Sequence, residues 1–215
     1  MQRDSFDGNQ GGQGAGEKPL VTLELSHRIK NVFALVSSLV ALSAREQPEM
    51  RGFAQVLQGR IFALARAHDY LSQDRRRGPA DRETVHGLLG VLTAPYKGSR
   101  SRPITVEGAD APVGLNSAGT IALIVHELVT NAAKYGALSN ETGTVRIVCA
   151  EADGLYSIEW REEGGPPVTG EPQRRGFGTV IAERFAAAGR VDIQRSWQPE
   201  GLRALVSMPL NDLAA

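Results

Sequence analysis

Apolar residues recur at three- and four-residue spacing from Leu25 onward, which predicts one long amphipathic helix over about 19–46. We expect its stripe to be buried, and the stripe consists of Leu25, Ile29, Val32, Val36 and Leu39. Gln47-Pro48-Glu49 ends this helix, because proline disfavours helical geometry at the residue before it. A second helix is predicted over about 50–72, with a stripe formed by Phe53, Val56, Leu57, Ile61, Leu64, Ala65, His68 and Leu71. So short a connection predicts an antiparallel hairpin, which completes a core most economically as a four-helix bundle with a second copy.

Beyond a basic break punctuated by Gly and Pro over 74–80, the pattern changes to mixed helix and strand. Helices are expected over about 82–96 and 116–135, with Asn116 or Ser117 as the N-cap of the second. Strands are expected over 104–106, 144–150, 155–160, 191–197 and 202–208, with one more helix after residue 178. This order predicts an α+β fold, a helical hairpin followed by an α/β sandwich whose sheet is covered on one face. We divide the chain into a flexible leader (1–18), the hairpin (19–74) and the sandwich domain (81–212).

The composition of the chain limits the classes of function that it can have. The 215 residues are 41% hydrophobic and 22% charged, as in ordinary globular proteins. Lys+Arg and Asp+Glu both number 24, so the net charge does not favour nucleic acid or an anionic membrane as partner. No apolar run approaches the roughly 20 residues of a membrane span. The single Cys149 excludes an intramolecular disulfide, and together these features predict a cytoplasmic protein.

The first candidate chemistry lies on the helix over 19–46. At about 100° per residue, His27 points almost opposite the apolar stripe, and Asn31 lies one turn later on the same side. The helix therefore presents an imidazole to solvent on a rigid support, and a neutral imidazole is a good nucleophile near neutral pH. A lone histidine is more often an ordinary surface residue, so a second group of residues has to decide between the two interpretations.

That second group lies on the helix over 116–135. Glu127, Asn131 and Lys134 follow one another at i, i+4 and i+7, on the side opposite its apolar residues. A carboxylate, an amide oxygen and an ammonium in one line suit a magnesium-bound polyphosphate. A solvated helix face with a Glu–Lys pair would show the same spacing.

Two glycine clusters favour the polyphosphate. Gly164 and Gly165 follow a strand, while Gly176 and Gly178 open a helix. Such glycines let backbone approach a ligand, and the start of a helix offers unpaired N–H groups to phosphate. Turns alone explain most single Gly-x-Gly motifs. The ordered set is more specific: an exposed histidine, a Glu/Asn/Lys helix, a carboxylate with a Gly pair, and Gly-x-Gly before a helix.

These residues resemble the HWE subfamily of sensor histidine kinases, over about 20–210. The helix motif His-Glu-Leu-x-x-Asn-Ala-x-Lys-Tyr matches 126–135, Trp-x-Glu matches Trp160 and Glu162, and His-Arg-x-x-Asn matches 27–31. The resemblance implies a dimerisation and phosphotransfer hairpin followed by a Bergerat-type (GHKL-like) ATP-binding domain.

Site roles follow from this resemblance. It implies that His27 is phosphorylated from ATP, that Asn131 binds Mg²⁺ with Glu127 beside it, and that Lys134 contacts phosphate. Glu162 stands where most relatives have an Asp that accepts from the adenine amino group. The remaining implied contacts are a pocket wall (Tyr135), room for the nucleotide (Gly164, Gly176 and Gly178), a phosphate contact (Thr179) and an ATP lid (166–175).

One departure from other histidine kinases bears on mechanism. Most carry an acidic residue after the phosphoacceptor, whereas Arg28 stands there, as in the HWE subfamily. A guanidinium stays protonated, so Arg28 is no base. It either holds the γ-phosphate or pairs with Glu24, four residues back. Our hypothesis is that Glu127, or no side chain at all, serves as base, and that Asn31 orients water for the reverse dephosphorylation.

The implied function is autophosphorylation followed by transfer to an aspartate of a response regulator receiver domain, in a homodimer. Since no sensory domain is recognisable, either a separate protein senses the signal or a sensory domain is missing. Three alternatives stay open: a histidine phosphotransferase that has lost ATP binding, a signalling scaffold, and a serine kinase, which would not need the hairpin. His126 and His68 are interpreted as packing residues, Trp160 and Trp197 as packing on the sheet.

Overall fold

The computed structural model describes residues 17–73, 83–97, 104–168, 170 and 191–214. The helices in this part of the chain are α1 (Glu17–Glu46), α2 (Arg51–Gln73), α3 (Val85–Thr93), α4 (Leu115–Lys134) and α5 (Leu210–Leu213). The strands are β1 (Ile104–Gly108), β2 (Thr144–Ala152), β3 (Leu155–Glu163), β4 (Asp192–Gln198) and β5 (Gly201–Pro209). Short 3-10 turns lie at Pro48–Met50, Ala94–Tyr96 and Ala137–Ser139.

The strands form one five-stranded sheet in the order β1-β2-β3-β5-β4. β1 runs parallel to β2, and the other neighbours are antiparallel. Along β2, Val145, Ile147 and Cys149 are buried while Arg146 and Ala150 are exposed, so one face of the sheet lies in the core. Apolar residues of α3 and α4 join that same core cluster. The expected sandwich with a sheet covered on one face is confirmed.

The predicted hairpin is also present, with α1 and α2 packed antiparallel. Lys30 Nζ lies 3.2 Å from an oxygen of Asp69, and the Phe33 and His68 rings meet edge-on with their centroids 6.3 Å apart. Farther along the seam, the side chain of Gln58 donates to the carbonyl of Ser37. The histidine at position 68 therefore packs within the hairpin, as its position in the apolar stripe predicts.

The stripe that we expected to be buried on α1 is exposed in this chain. Leu25 is 56% exposed, Val32 57%, Val36 39% and Leu39 54%, and only Ile29 is half-buried. The prediction of burial is wrong for the single chain because α2 covers one side of α1 only. The side of α1 turned to α2 carries small buried residues, Ser37 and Ala44. Helix α1 thus has three sides: the seam with α2, an open apolar side, and a polar side with His27.

The stripe predicted on α2 is divided in a similar way. Phe53 (58% exposed) and Val56 (37%) lie near the start of the helix and face solvent, while Ile61 is buried. The small residues Ala63 and Ala67 are buried in the core cluster that α3, α4 and the sheet form. Helix α2 therefore belongs to two packing layers, because one side contacts α1 and another contacts α4.

Helix boundaries differ from the predictions for local reasons. α1 begins at Glu17 rather than Pro19, because proline is tolerated in the first turn of a helix. α3 begins at Val85 rather than residue 82, because the Thr84 side chain caps it by accepting from the Gly87 N–H. Pro95 then confines the end of the predicted helix to a 3-10 turn.

The N-cap predicted for α4 is wrong. Gly114 occupies that position without a side-chain cap, and Asn116 and Ser117 lie in the first turn. The reason is tertiary: α5, which the sequence did not predict, docks against this end of α4. The Gly114 N–H donates to the Leu213 carbonyl, and the Ser117 hydroxyl donates to that of Asp212 at 2.7 Å.

No helix in the described ranges combines the length and the hydropathy that crossing a membrane requires.

Gly143 offers a test of the packing between β2 and the turn at Ala137–Ser139. A Cβ at this position would overlap the backbone carbonyl of Ala137, which rigid backbone cannot relieve cheaply. We expect Gly143→Ala to lower the free energy of unfolding by about 3 kcal/mol, measured by urea denaturation. Gly52→Ala is the matched control, since nothing lies within 4 Å of its Cβ position, and it should not destabilise the protein. Equal stability of the two variants would contradict this packing.

Candidate phosphoryl-transfer site

The His27 side chain lies on the polar side of α1 and is exposed, as the spacing predicts, and so is Asn31 one turn later. Arg28, between them, bonds along the helix to Glu24, with Nε at 3.2 Å and Nη2 at 2.6 Å from Glu24 Oε1. Of the two roles considered for Arg28, the structure therefore contains the pair with Glu24. Both partners are exposed, so solvent screens the pair and its contribution to stability is small.

The predicted polyphosphate face of α4 is only partly open. Asn131 and Lys134 are exposed, and Tyr135, which follows the helix, is 75% exposed. These three groups are accessible to a ligand at the C-terminal end of α4. Glu127, one turn earlier on the same side, differs because α2 covers it.

Glu127 forms an ion pair that sequence reasoning missed. Arg60 Nε on α2 donates to Glu127 Oε1 at 2.8 Å, and the two side chains are only 8% and 15% exposed. A second cation acts on the same carboxylate: burial lowers the pKa of Arg195 on β4, and the negative charge of Glu127 opposes that shift. Arg60 lies on the buried side of α2, where a charge without a partner is costly. That position could have predicted an ion pair.

Glu162 is buried at the end of β3 and is hydrogen-bonded through both oxygens. The indole N–H of Trp160 donates to Oε1 at 3.0 Å, and the backbone N–H of Ala137 donates to Oε2 at 2.9 Å. Burial raises the pKa of Glu162, while these two donors oppose the rise. Each oxygen keeps a second lone pair, so the carboxylate can still accept from a ligand.

The spacing of Trp160 and Glu162 now has a physical reason. Residues two apart on a strand share one face of the sheet, so the indole lies beside the carboxylate. The interpretation of Trp160 as a packing residue is correct for its ring, which is 1% exposed, but it omitted the donor. Trp197 is half-buried on edge strand β4.

Asn140 was also not identified from the sequence, and its side chain holds the glycine-containing loop after β3 in place. Its Nδ2 donates to the Gly164 carbonyl at 2.7 Å, and its Oδ1 accepts from the N–H groups of Gly143 and Thr142. An Asn two residues before Thr142 and three before Gly143 is the signal of an Asx turn. Gly164 has φ +74°, which favours glycine, so the loop leaves β3 along a path that other residues rarely adopt.

His126 is buried between α4 and α2, which agrees with a packing role. A Cβ at Gly59 of α2 would lie 2.7 Å from His126 Nε2, so the two helices approach closely at this point. Burial lowers the pKa of His126, and the charges of Arg66, Arg60 and Lys134 lower it further against the opposing effect of Glu127. His126 therefore stays neutral where an exposed histidine would begin to bind a proton.

One region of the predicted site falls outside the residues that the structure describes. Gly176, Gly178 and Thr179, the helix expected after them, and most of the expected lid over 166–175 lie outside the described residues. Within the described ranges, no three His, Cys, Asp or Glu side chains form a cluster suited to a metal ion. The exposed amide of Asn131 offers an oxygen of the kind that Mg²⁺ accepts as a ligand.

Comparison with known proteins shows what this chain is similar to. Residues 24–110 match the model of the HWE histidine kinase family. The chain is 33% identical over 195 residues to blue-light-activated histidine kinase 1 of Erythrobacter litoralis, covering 89% of this chain and 53% of that protein. It is 32% identical over 199 residues to the blue-light-activated histidine kinase of Brucella anthropi, covering 90% and 40% respectively. The chain thus spans about half the length, or less, of these relatives.

A solved structure agrees with the fold. The histidine kinase domain of a blue-light-activated kinase from Erythrobacter litoralis superposes with a TM-score of 0.57, covering 90% of this chain and 92% of that domain. The sequences are 18% identical in this comparison, so it supports the architecture alone. The α+β assignment, with a helical part before a domain built on a five-stranded sheet, is therefore confirmed.

The donor role of Trp160 can be tested by removing the indole N–H while keeping an aromatic ring. We expect Trp160→Phe to lower the free energy of unfolding by about 1–3 kcal/mol, because a buried carboxylate loses one of its two donors. Losing a donor raises the pKa of Glu162 further, so the folded state pays more to ionise it. The loss measured by urea denaturation should therefore be larger at neutral than at acidic pH. Trp197→Phe is the control, and an identical pH profile for both variants would contradict this role.

Proposed function

We propose that this chain is a histidine kinase that phosphorylates its own His27 from Mg-ATP, because residues 24–110 match the HWE histidine kinase family and the chain is 33% identical to a blue-light-activated histidine kinase. The observation that carries the proposal is the exposed His27 imidazole on a rigid helix, beside a sheet domain with the fold of a histidine kinase. In this proposal residues 19–74 are the dimerisation and phosphotransfer hairpin, and 81–212 are the ATP-binding domain.

The nucleotide would lie at the C-terminal end of α4. The exposed Asn131 would ligate magnesium, Lys134 would neutralise phosphate charge, and Tyr135 would form a wall of the pocket. Glu162, held by Trp160 and Ala137, would accept from the adenine amino group through a free lone pair. The proposed backbone and lid contacts are Gly164, Gly176, Gly178 and Thr179.

The reaction is an in-line displacement. A ring nitrogen of His27 attacks the γ-phosphorus, an N–P bond forms, and the bond to the β-phosphate oxygen breaks to release ADP. Such a loose transition state needs positioning and charge neutralisation more than covalent assistance. Arg28 is one residue from the imidazole and can move from Glu24 to the transferred phosphoryl group, since both partners are exposed.

The structure bears on the choice of base. Glu127 Oε1 accepts from Arg60 Nε at 2.8 Å, and the Glu127 side chain is only 15% exposed, so this carboxylate is engaged within the chain. Glu127 can therefore serve as base only after this pair separates. Otherwise no side chain performs this role, and an imidazole that attacks through its unprotonated nitrogen needs none.

The phosphoryl group would pass to an aspartate of a response regulator receiver domain that docks on the polar side of α1. Asn31 on that side would orient water for the reverse dephosphorylation. Because the chain spans about half of its relatives' length, the input signal would come from a sensory region or a separate protein.

We also propose that the chain forms a homodimer through the open apolar side of α1. Leu25, Val32, Val36 and Leu39 leave a continuous exposed stripe along this helix, which is costly in water. A second copy would cover it and complete a four-helix bundle. The His27 side of α1 would remain accessible in that arrangement.

The phosphorylation proposal is tested with γ-labelled Mg-ATP. We expect acid-labile label on His27, absent in His27→Ala and retained in the matched control His86→Gln. If ATP binds to the protein without labelling it, the scaffold interpretation gains support. If His27 takes a phosphoryl group from a phosphorylated receiver domain and not from ATP, the chain is a phosphotransferase.

The dimer proposal is tested by sedimentation. Val32→Asp with Leu39→Asp places two charges in the open apolar side, which we expect to raise the dimer dissociation constant by at least about 100-fold, since each buried unpaired charge costs several kcal/mol. Ser38→Asp on the exposed polar side is the control. A wild type that is monomeric at all concentrations would contradict the proposal.

A further inference from the structure

The packing register places His27 and the proposed nucleotide face at opposite ends of α2. On one side of α2, Lys30 pairs with Asp69, so His27, three residues earlier on the antiparallel α1, lies near the level of Ser72. On the other side, Arg60 pairs with Glu127 and Leu64 lies opposite Gly119. These contacts make α4 antiparallel to α2.

Asn131, one turn beyond Glu127 on α4, therefore lies near the level of Val56 on α2. The levels of Val56 and Ser72 are separated by about 24 Å along the axis of α2, at 1.5 Å per residue. A bound γ-phosphate and an attacking imidazole have to approach within roughly 3–3.5 Å. The arrangement described by the structure is therefore one in which His27 cannot be phosphorylated by a nucleotide bound to the same chain.

Arg60 and Glu127 are the charged contact that holds α4 on α2 in this register. Both side chains are largely buried, and the bond joins the hairpin to the proposed nucleotide-binding helix across 67 positions of the chain. A buried ion pair adds little net stability, but it penalises every register that separates its partners. The pair thus selects this arrangement over others.

The rest of this seam is made of small residues that permit a close approach. Gly59 faces His126, Gly119 faces Leu64, and Ala63 lies between them along α2. These small residues let α2 and α4 approach closely beside the Arg60–Glu127 pair.

We propose that the Arg60–Glu127 pair is a latch that keeps the catalytic domain docked away from His27, and that phosphoryl transfer requires it to open. This inference rests on the proposed function, because a latch can control autophosphorylation only if the chain carries out that reaction. The docking of α4 on α2 can be measured without ATP. Opening also separates the Glu127 carboxylate from the Arg60 guanidinium.

The first measurement follows docking without nucleotide. Nitroxide labels are attached at Ala34→Cys on α1 and Ala150→Cys on β2, two exposed positions, in a Cys149→Ala background. With the labelled protein diluted into an excess of unlabelled protein, so that a dimer carries one labelled chain, pulsed electron paramagnetic resonance should give one narrow distance distribution. Adding Arg60→Gln should broaden the distribution and populate other distances.

The second measurement follows the rate of His27 labelling at saturating Mg-ATP. Arg60→Gln should raise the initial rate by about fivefold, because the undocked population from which transfer occurs increases. The dissociation constant for ATP should stay within about twofold, since the nucleotide contacts are on α4 and the sheet. Arg195 remains beside Glu127, so the variant does not leave this carboxylate without a nearby cation.

Two further variants separate a latch from general destabilisation. Gly59→Leu drives a side chain against His126 and should open the seam, broaden the distances and raise the rate with the ion pair still encoded. Asp69→Asn removes a different ion pair of α2, the one with Lys30 inside the hairpin, and should leave distances and rate unchanged.

Three results would overturn the latch. Unchanged distances in Arg60→Gln exclude a docking role. A lower rate with weaker ATP binding makes Arg60 a nucleotide contact instead. An equal effect of Asp69→Asn shows that any loss of charge on α2 suffices. If the wild type binds no ATP, the proposed function fails, and the distance distributions still decide whether the pair controls docking.

Discussion

Helix α2 packs on two partners at once, and this double contact determines where the candidate groups lie. One side of the helix meets α1 through small residues and polar contacts, and another meets α4 through Gly59, Ala63 and the Arg60–Glu127 pair. Because α2 is rigid, the position of His27 along the hairpin and that of Asn131 on α4 are set against each other. The packing of this one helix therefore determines how accessible the His27 imidazole is. It also determines how far the imidazole lies from the proposed nucleotide-binding face of α4.

The buried carboxylate of Glu162 is the second feature on which the candidate site depends. Its burial raises its pKa, and the indole of Trp160 and the amide of Ala137 stabilise the ionised form in compensation. Asn140 fixes the neighbouring Gly164 loop independently, through the turn before β2. The end of the central strand β3, where the adenine would bind in the proposed function, is therefore organised by hydrogen bonds within the chain, in advance of any ligand.

Periodicity was sufficient to predict the hairpin, α4 and the five strands, because these elements bury residues at regular spacing. It also predicted correctly that His27 faces solvent. It failed for the burial of Leu25, Val32 and Leu39, since a periodic stripe shows that a helix has an apolar side and not which partner covers it. The cap of α4 failed because α5, from the far end of the chain, supplies the contact. Arg60 could not be assigned to Glu127 because nothing in local spacing reports a pair between two separate helices. The roles of Gly176, Gly178 and Thr179 remain predictions.

The burial of Ala63 and Ala67 in the same core as Leu88 and Val129 has a consequence for how the chain can be divided. Tyr70 strengthens that connection, because its hydroxyl exchanges hydrogen bonds with the backbone of Thr84. A fragment beginning after residue 80 would retain the proposed chemistry of nucleotide binding but would expose apolar surface that α2 now shields. Any separation of α2 from the sheet domain therefore carries the cost of exposing this apolar surface to water.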